Sequence, residues 1–97
     1  GIMLFEMYNM AKAKFFFMLG DTKKAKNALL SLLDKNQNSY SAHQMLAQIY
    51  EKEGGMRKAI DEYVQAIDLN KKDVDSYYKV ADLLNQLDKK DEAAYTQ

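Results

Sequence analysis

The chain has 97 residues, of which 47% are hydrophobic and 29% are charged, and it contains no Cys, Pro or Trp. This composition is typical of one small globular domain or of a segment of a larger protein, and it excludes disulfides, thiolate zinc sites and Cys nucleophiles. Fourteen basic residues balance fourteen acidic ones, so no overall field attracts nucleic acid or anionic lipid. The composition favours a binding or structural role over hydrolytic or metal chemistry, and we expect neither enzymatic activity nor a cofactor.

The first part of the chain carries no convincing membrane or targeting segment. Its longest apolar run, 15–19, has five residues, whereas a membrane span needs about 20. A secretory signal would place positive charge before a continuous apolar stretch, and this order is not found. We therefore expect no membrane span in this segment and a cytoplasmic protein.

A period of 34 residues divides the chain into three copies, 6–39, 40–73 and 74–97, the last of them truncated. Large apolar residues coincide in the three copies, for example Phe16 and Tyr50 with Leu84. Gly20 and Gly54 coincide with Asp88. Small residues coincide in two columns, which are Ala13, Ala47 and Ala81, and Ala25, Ala59 and Ala93. Such agreement over three copies predicts a repeat protein.

Each copy is predicted to form two consecutive helices joined by one turn. The first copy turns at 19–22 and is linked to the second through 34–39. In the second copy, apolar residues recur at helical spacing over 42–50 and again over 56–67, and Gly54 separates the two stripes. Asp73 is expected to cap the next helix. The third copy is predicted to turn at 87–90 and to begin a sixth helix. No segment alternates with period two, so the fold is predicted to be all-α.

These features resemble the tetratricopeptide repeat. In the second copy the resemblance rests on residues of the first helix, the turn and the second helix, which are Leu46, Ala47, Tyr50, Gly54, Ala59, Tyr63 and Ala66. Lys71 and Asp88 depart from the family pattern, because a Pro and a Gly are usual there. The resemblance implies a right-handed α-solenoid of antiparallel helix pairs with about two and a half to three repeats. It also implies a scaffold that binds a protein or peptide partner.

The resemblance further implies a concave face, lined by the first helix of each copy, on which residues outside the repeat pattern select the ligand. The expected partner-binding residues are Met7, Met10, Lys14, Phe17, Met18, Gln44, Met45, Gln48, Tyr78, Lys79 and Asp82, and the same face includes Ser41, Lys52, Asp75 and Gln86. The residues grade from Met- and Phe-rich to charged along the chain. The Met- and Phe-rich part of this face has two interpretations. It either binds an apolar anchor residue of a peptide ligand, or Phe17 and Met18 pack against an upstream repeat.

Some family members hold acidic C-terminal tails of chaperones with a clamp of Lys, Asn and Arg. Met10 and Met45 stand at two of those positions, and Asp75 would repel the tail, so we expect another ligand. Nucleic acid is not expected, because the chain has thirteen Lys and a single Arg, without stacking groups beside them. His43 is interpreted as a packing histidine. Adjacent acidic pairs such as Asp61 and Glu62 diverge by about 100° on a helix and cannot act together on a substrate.

The alternative to partner binding is self-association or a spacer role in a larger repeat protein. The chain begins with Ile2, Met3, Leu4, Phe5, Met7 and Tyr8, whereas repeat proteins normally close with a polar capping helix. An exposed apolar face of this kind usually marks an interface. The sequence does not distinguish between a partner, an upstream repeat and a second copy as the occupant of this face.

Overall fold

The computed structural model describes residues 2–95, with the side chains of residues 3–91, and every regular element in that range is an α-helix. The five helices are α1 (Ile2–Met18), α2 (Thr22–Lys35), α3 (Tyr40–Lys52), α4 (Met56–Leu69) and α5 (Val74–Tyr95). Links of three or four residues join consecutive helices, so each helix reverses and packs on the one before it. The all-α repeat architecture predicted from the sequence is confirmed.

Two apolar clusters hold the helices together. The first joins α1, α2 and α3 and includes Ala13, Ala25, Leu29 and Ile49, none of which has exposed surface. The second joins α3, α4 and α5 and is built from Ala47, Ala59, Tyr63 and Leu83. Packed helix axes lie about 8–10 Å apart, and the distance is shortest where the side chains at the contact are small. The repeated alanines of the sequence are therefore the residues that allow α1–α2 and α3–α4 to pack closely.

Two glycines form the predicted turns within the first two copies. Gly20 and Gly54 have φ angles of +82° and +81°, a left-handed conformation that glycine adopts without steric cost. The turns are closed by backbone hydrogen bonds, in which the amide of Asp21 donates to Phe16 O (2.9 Å) and the amide of Gly55 donates to Tyr50 O (2.8 Å).

The turn predicted at 87–90 and the sixth helix are wrong. α5 is one helix of 22 residues that runs through this segment to Tyr95. Asp88 stands at the position of Gly20 and Gly54, and among the described residues no residue other than glycine has a positive φ. Without glycine the reversal would strain the backbone, while Asp and Lys continue a helix at small cost. The side chain of Ala93, which the repeat aligns with Ala25 and Ala59, lies outside the described residues.

Side-chain caps begin the first helices of the second and third copies. Ser39 Oγ accepts a hydrogen bond from the amide of Ala42 (3.3 Å) at the start of α3. Asp73, one period later, accepts from the amide of Ser76 (3.1 Å) at the start of α5, which confirms the predicted cap. Asp73 also accepts from the hydroxyls of Ser76 and Tyr40. Equivalent positions of the repeat therefore cap α3 and α5, but only the cap of α5 is charged.

Candidate functional site

A groove of about 800 Å³ lies on the surface shared by α3 and α5, with Tyr63 of α4 at its base. The residues that line it all have a polar or charged group, and they are Gln44, Gln48, Glu51, Lys52, Tyr63, Asp75, Ser76, Tyr78, Lys79 and Asp82. Within this lining, Gln44, Gln48 and Glu51 are spaced by four and three residues on α3, and Asp75, Lys79 and Asp82 have the same spacing on α5. Each of these triplets therefore lies on one face of its helix. Packing of α3 and α5 onto α4 turns these two faces toward each other.

Glu51 organises the centre of the groove. Its Oε1 accepts a hydrogen bond from the Tyr63 hydroxyl (2.9 Å), and its Oε2 pairs with the Lys79 ammonium (3.1 Å). Burial raises the pKa of the Tyr63 hydroxyl well above its usual value, and the hydrogen bond to Glu51 raises it further, so Tyr63 remains a donor. Glu51 thus joins all three helices that form the groove.

The remaining groove side chains present a mixed surface. The Gln44 amide donates to the Tyr40 hydroxyl (3.2 Å), and Asp82 accepts from the Gln86 amide (2.9 Å). The ring of Tyr78 is 72% exposed. The lining has three carboxylates and two ammonium groups, and one ammonium is already paired with Glu51. The groove therefore offers hydrogen-bonding amides, an aromatic face and a small excess of negative charge.

The structure divides the predicted binding residues into three sets. Five of them line the groove, namely Gln44, Gln48, Tyr78, Lys79 and Asp82. Three are partly buried against the cluster that joins α1, α2 and α3, namely Met10, Phe17 and Met45. Met7, Lys14 and Met18 are exposed on α1 and are not part of the groove lining. The role of these residues in binding stays a prediction.

Sequence reasoning missed the role of Glu51 at the site and the contacts of His43. The His43 ring is 8% exposed, and its Nδ1 lies 3.0 Å from Glu62 Oε2 while its Nε2 lies 2.8 Å from Gln37 O. The histidine packs as expected, but it also ties α3 to α4 and to the link before α3. Glu62 and Gln37 are both more than one helical turn away from His43 along the chain, so the spacing of residues on one helix does not predict these contacts.

The 34-residue pattern, the glycine turns and the helix pairs point to one repeat family. Residues 40–73 match the family model described as tetratricopeptide repeat. This chain contains a tetratricopeptide repeat. The matched segment is the second copy of the period, which begins at the first residue of α3 and ends at the cap of α5. Tetratricopeptide repeats mediate protein–protein interactions and form non-catalytic scaffolds.

A comparison with curated proteins finds no match to the chain. In the part of the chain that the structure describes, no helix is long and apolar enough to cross a membrane.

Proposed function

We propose that this tetratricopeptide-repeat chain binds a protein partner through a peptide segment that lies in the groove between α3 and α5. The proposal is carried by one observation, the convergence of polar side chains and the exposed Tyr78 ring from two first helices on one groove of about 800 Å³. The role is that of a non-catalytic interaction module.

The groove has the groups that a peptide in extended or helical form requires. The side-chain amides of Gln44 and Gln48 can both donate to and accept from a peptide backbone. The exposed ring of Tyr78 offers a flat apolar surface that costs little side-chain entropy to order. These groups orient a ligand chain, while the apolar surface supplies contact area.

Charge in the groove favours a neutral or basic segment over an acidic one. Lys79, a cation that could bind a ligand carboxylate, is paired with Glu51 at 3.1 Å. Asp75 and Asp82 flank Tyr78 on the groove lining. Their carboxylates favour Lys or Arg of the ligand and repel the acidic tails of chaperones and the phosphates of nucleic acid.

A displayed library of random peptides tests the proposal, because it requires no knowledge of the natural partner. Peptides selected on the chain are expected to lose affinity by tenfold or more, about 1.4 kcal/mol, when Tyr78 is changed to Ala. Tyr77→Ala is the matched control, since Tyr77 is the adjacent tyrosine on α5 but lies outside the groove lining. Circular dichroism checks that both variants keep their helices.

The selected sequences provide a second readout. Enrichment of Lys or Arg, with weaker binding after Asp82→Asn, supports the proposed ligand chemistry. Peptides that bind Tyr78→Ala as well as the unchanged chain, or that lose affinity only with Tyr77→Ala, would place the binding surface elsewhere.

A further inference from the structure

An uncovered apolar stripe runs along α5 on the side away from the core. It consists of Val74, Tyr77, Ala81 and Leu84, spaced at i, i+3, i+7 and i+10, and we call it the α5 stripe. Its three large side chains are 49–58% exposed. At the same repeat positions in α3, His43 and Ala47 are buried against α4, with Ala47 fully covered. The α5 stripe is thus a surface of the kind that elsewhere in this chain is covered by a helix.

A second uncovered surface lies on α1. It consists of Leu4, Tyr8, Ala11 and Phe15, and we call it the α1 face. Tyr8 and Phe15 are 63% and 58% exposed. The equivalent residues of the second copy, Ala42 and Ile49, are fully buried, because they pack in the same cluster as the leucines of α2. The opposite side of α1 is covered, because Met10, Ala13 and Phe17 pack in the cluster that joins α1, α2 and α3.

The two surfaces share the pattern of side-chain sizes that allows helices to cross closely. Each has one alanine, Ala11 or Ala81, between larger apolar side chains at about one helical turn on either side. Within the molecule, the same arrangement allows α3 and α4 to cross at Ala47 and Ala59. A crossing of Ala11 on Ala81 would let two helix axes approach to about 8–10 Å in the same way.

Their charges are also complementary. Residues 1–39 contain six basic and three acidic residues, and residues 74–95 contain three basic and five acidic ones. Lys12 and Lys14 lie at the two edges of the α1 face, and both are exposed. The α5 stripe continues into Asp88, one turn after Leu84, and this residue is exposed as well. The segment that carries the α1 face is therefore net positive and the segment that carries the α5 stripe is net negative, which favours contact between the two over contact of either with itself.

We propose that the α1 face of one copy of this chain docks on the α5 stripe of a second copy, in a head-to-tail arrangement. Pairing of two α1 faces would bring two net positive segments together, and pairing of two α5 stripes would bring two net negative segments together. The interface is heterologous, so each copy keeps one unused surface and assembly continues to longer chains as concentration rises. The α5 stripe does not overlap the groove lining, so this association is separate from the proposed peptide binding.

Mixing two complementary variants tests the arrangement by sedimentation velocity. The unchanged chain is expected to show an average mass that rises with concentration. Phe15→Glu on the α1 face and Ala81→Glu on the α5 stripe are each expected to be monomeric, because each lacks one of the two surfaces. An equimolar mixture is expected to form a dimer and nothing larger, since one good surface remains on each variant.

Controls separate this interface from general effects of surface charge. Leu30→Glu on α2 is the matched control, because Leu30 is 45% exposed and belongs to neither surface. It is expected to associate like the unchanged chain. Tyr8→Glu replaces Phe15→Glu if the latter loses helicity by circular dichroism. Lys12→Glu is expected to weaken association at least threefold, because it lowers the positive charge of the segment that carries the α1 face.

Three results would overturn the proposal. The first is an unchanged chain that stays monomeric at several hundred micromolar. The second is association that Phe15→Glu abolishes and Ala81→Glu leaves intact, which would indicate a symmetric α1–α1 dimer. The third is a mixture of the two variants that remains monomeric, because a head-to-tail contact must be restored by mixing.

Discussion

α3 and α5 begin alike and end differently. Both start one residue after a polar cap, Ser39 or Asp73. α3 ends at Lys52, and the chain reverses at Gly54, whereas α5 passes the same position at Asp88 and continues to Tyr95. The apolar pattern before the two positions is similar. The reversal therefore depends on one residue that accepts a left-handed backbone, and the apolar pattern alone does not produce it.

The different ends decide what covers each helix. Because the chain turns back at Gly54, α4 packs on α3 and buries Ala47. Because α5 does not turn back, no helix among residues 2–95 covers Ala81, and it stays exposed. Equivalent positions of the repeat thus have different energetic roles, and substitutions at paired positions can measure the difference.

The largest difference is expected between Ala47→Glu and Ala81→Glu. Ala47→Glu places a charge and extra volume where α3 and α4 cross, and it should lower the free energy of unfolding by more than about 3 kcal/mol. Ala81→Glu changes an exposed site and should alter it by less than about 0.5 kcal/mol. Urea unfolding at low protein concentration measures both. Similar losses at the two sites would contradict the comparison.

The next largest effect is expected at the turn. Gly54→Ala should lower the free energy of unfolding by about 1–2 kcal/mol, because alanine is strained at a φ of +81°. No atom lies within 4 Å of an added Cβ, so backbone strain alone is measured. Asp88→Ala, in contrast, should raise stability by a few tenths of a kcal/mol, because Ala is the better helix former. A loss of stability with Asp88→Ala would argue against a continuous α5.

The two caps should differ in their dependence on pH. Burial alone would raise the pKa of the Asp73 carboxyl, but hydrogen bonds from Ser76 and Tyr40 outweigh it and hold the pKa below its usual value. The stabilisation is therefore present above the unfolded pKa of about 4 and is lost as the pH falls below it. Because Asn can still cap the helix, Asp73→Asn should remove only the contribution of the charge, about 1 kcal/mol at pH 7 and less at pH 3.

Ser39→Ala is the control for the cap at Asp73. It should cost about 1 kcal/mol, and this cost should not change between pH 7 and pH 3, because a hydroxyl does not titrate. Urea unfolding at the two pH values provides the measurement. A cost of Asp73→Asn that is constant with pH would show that the charge of Asp73 contributes nothing.

The smallest effect is expected at the contact between α2 and the end of α3. Lys26 pairs with Glu53 at 2.9 Å, whereas the positions one period later hold Ile60 and Leu87. Lys26→Ala should cost about 0.2–1 kcal/mol because both partners are partly exposed. The cost should shrink in 1 M NaCl, where charges are screened. An unchanged cost at high salt would assign it to packing of the Lys26 side chain instead.

Much of the fold could be predicted because its signals are local. The alanine columns and the apolar spacing predicted the packed helices, and Gly20 and Gly54 predicted the first two turns. The prediction failed at Asp88, because the 34-residue period placed a turn there although Asp, unlike Gly, does not favour one. The site was predicted only in part, because Met10, Phe17 and Met45 share helix faces with exposed residues, and only their neighbours show that they pack inward.

The sequence by itself determined the period of 34 residues, the first four helices, and the start of α5 with its cap at Asp73, since these depend on residues within a few turns of each other. The tertiary structure decided which of the predicted residues share the groove, because the packing of α3 and α5 on α4 sets which of their side chains face each other. It also decided the role of Glu51, which reaches Tyr63 and Lys79 on two other helices. Contacts across helices depend on how the helices pack, and no spacing along the chain encodes them directly.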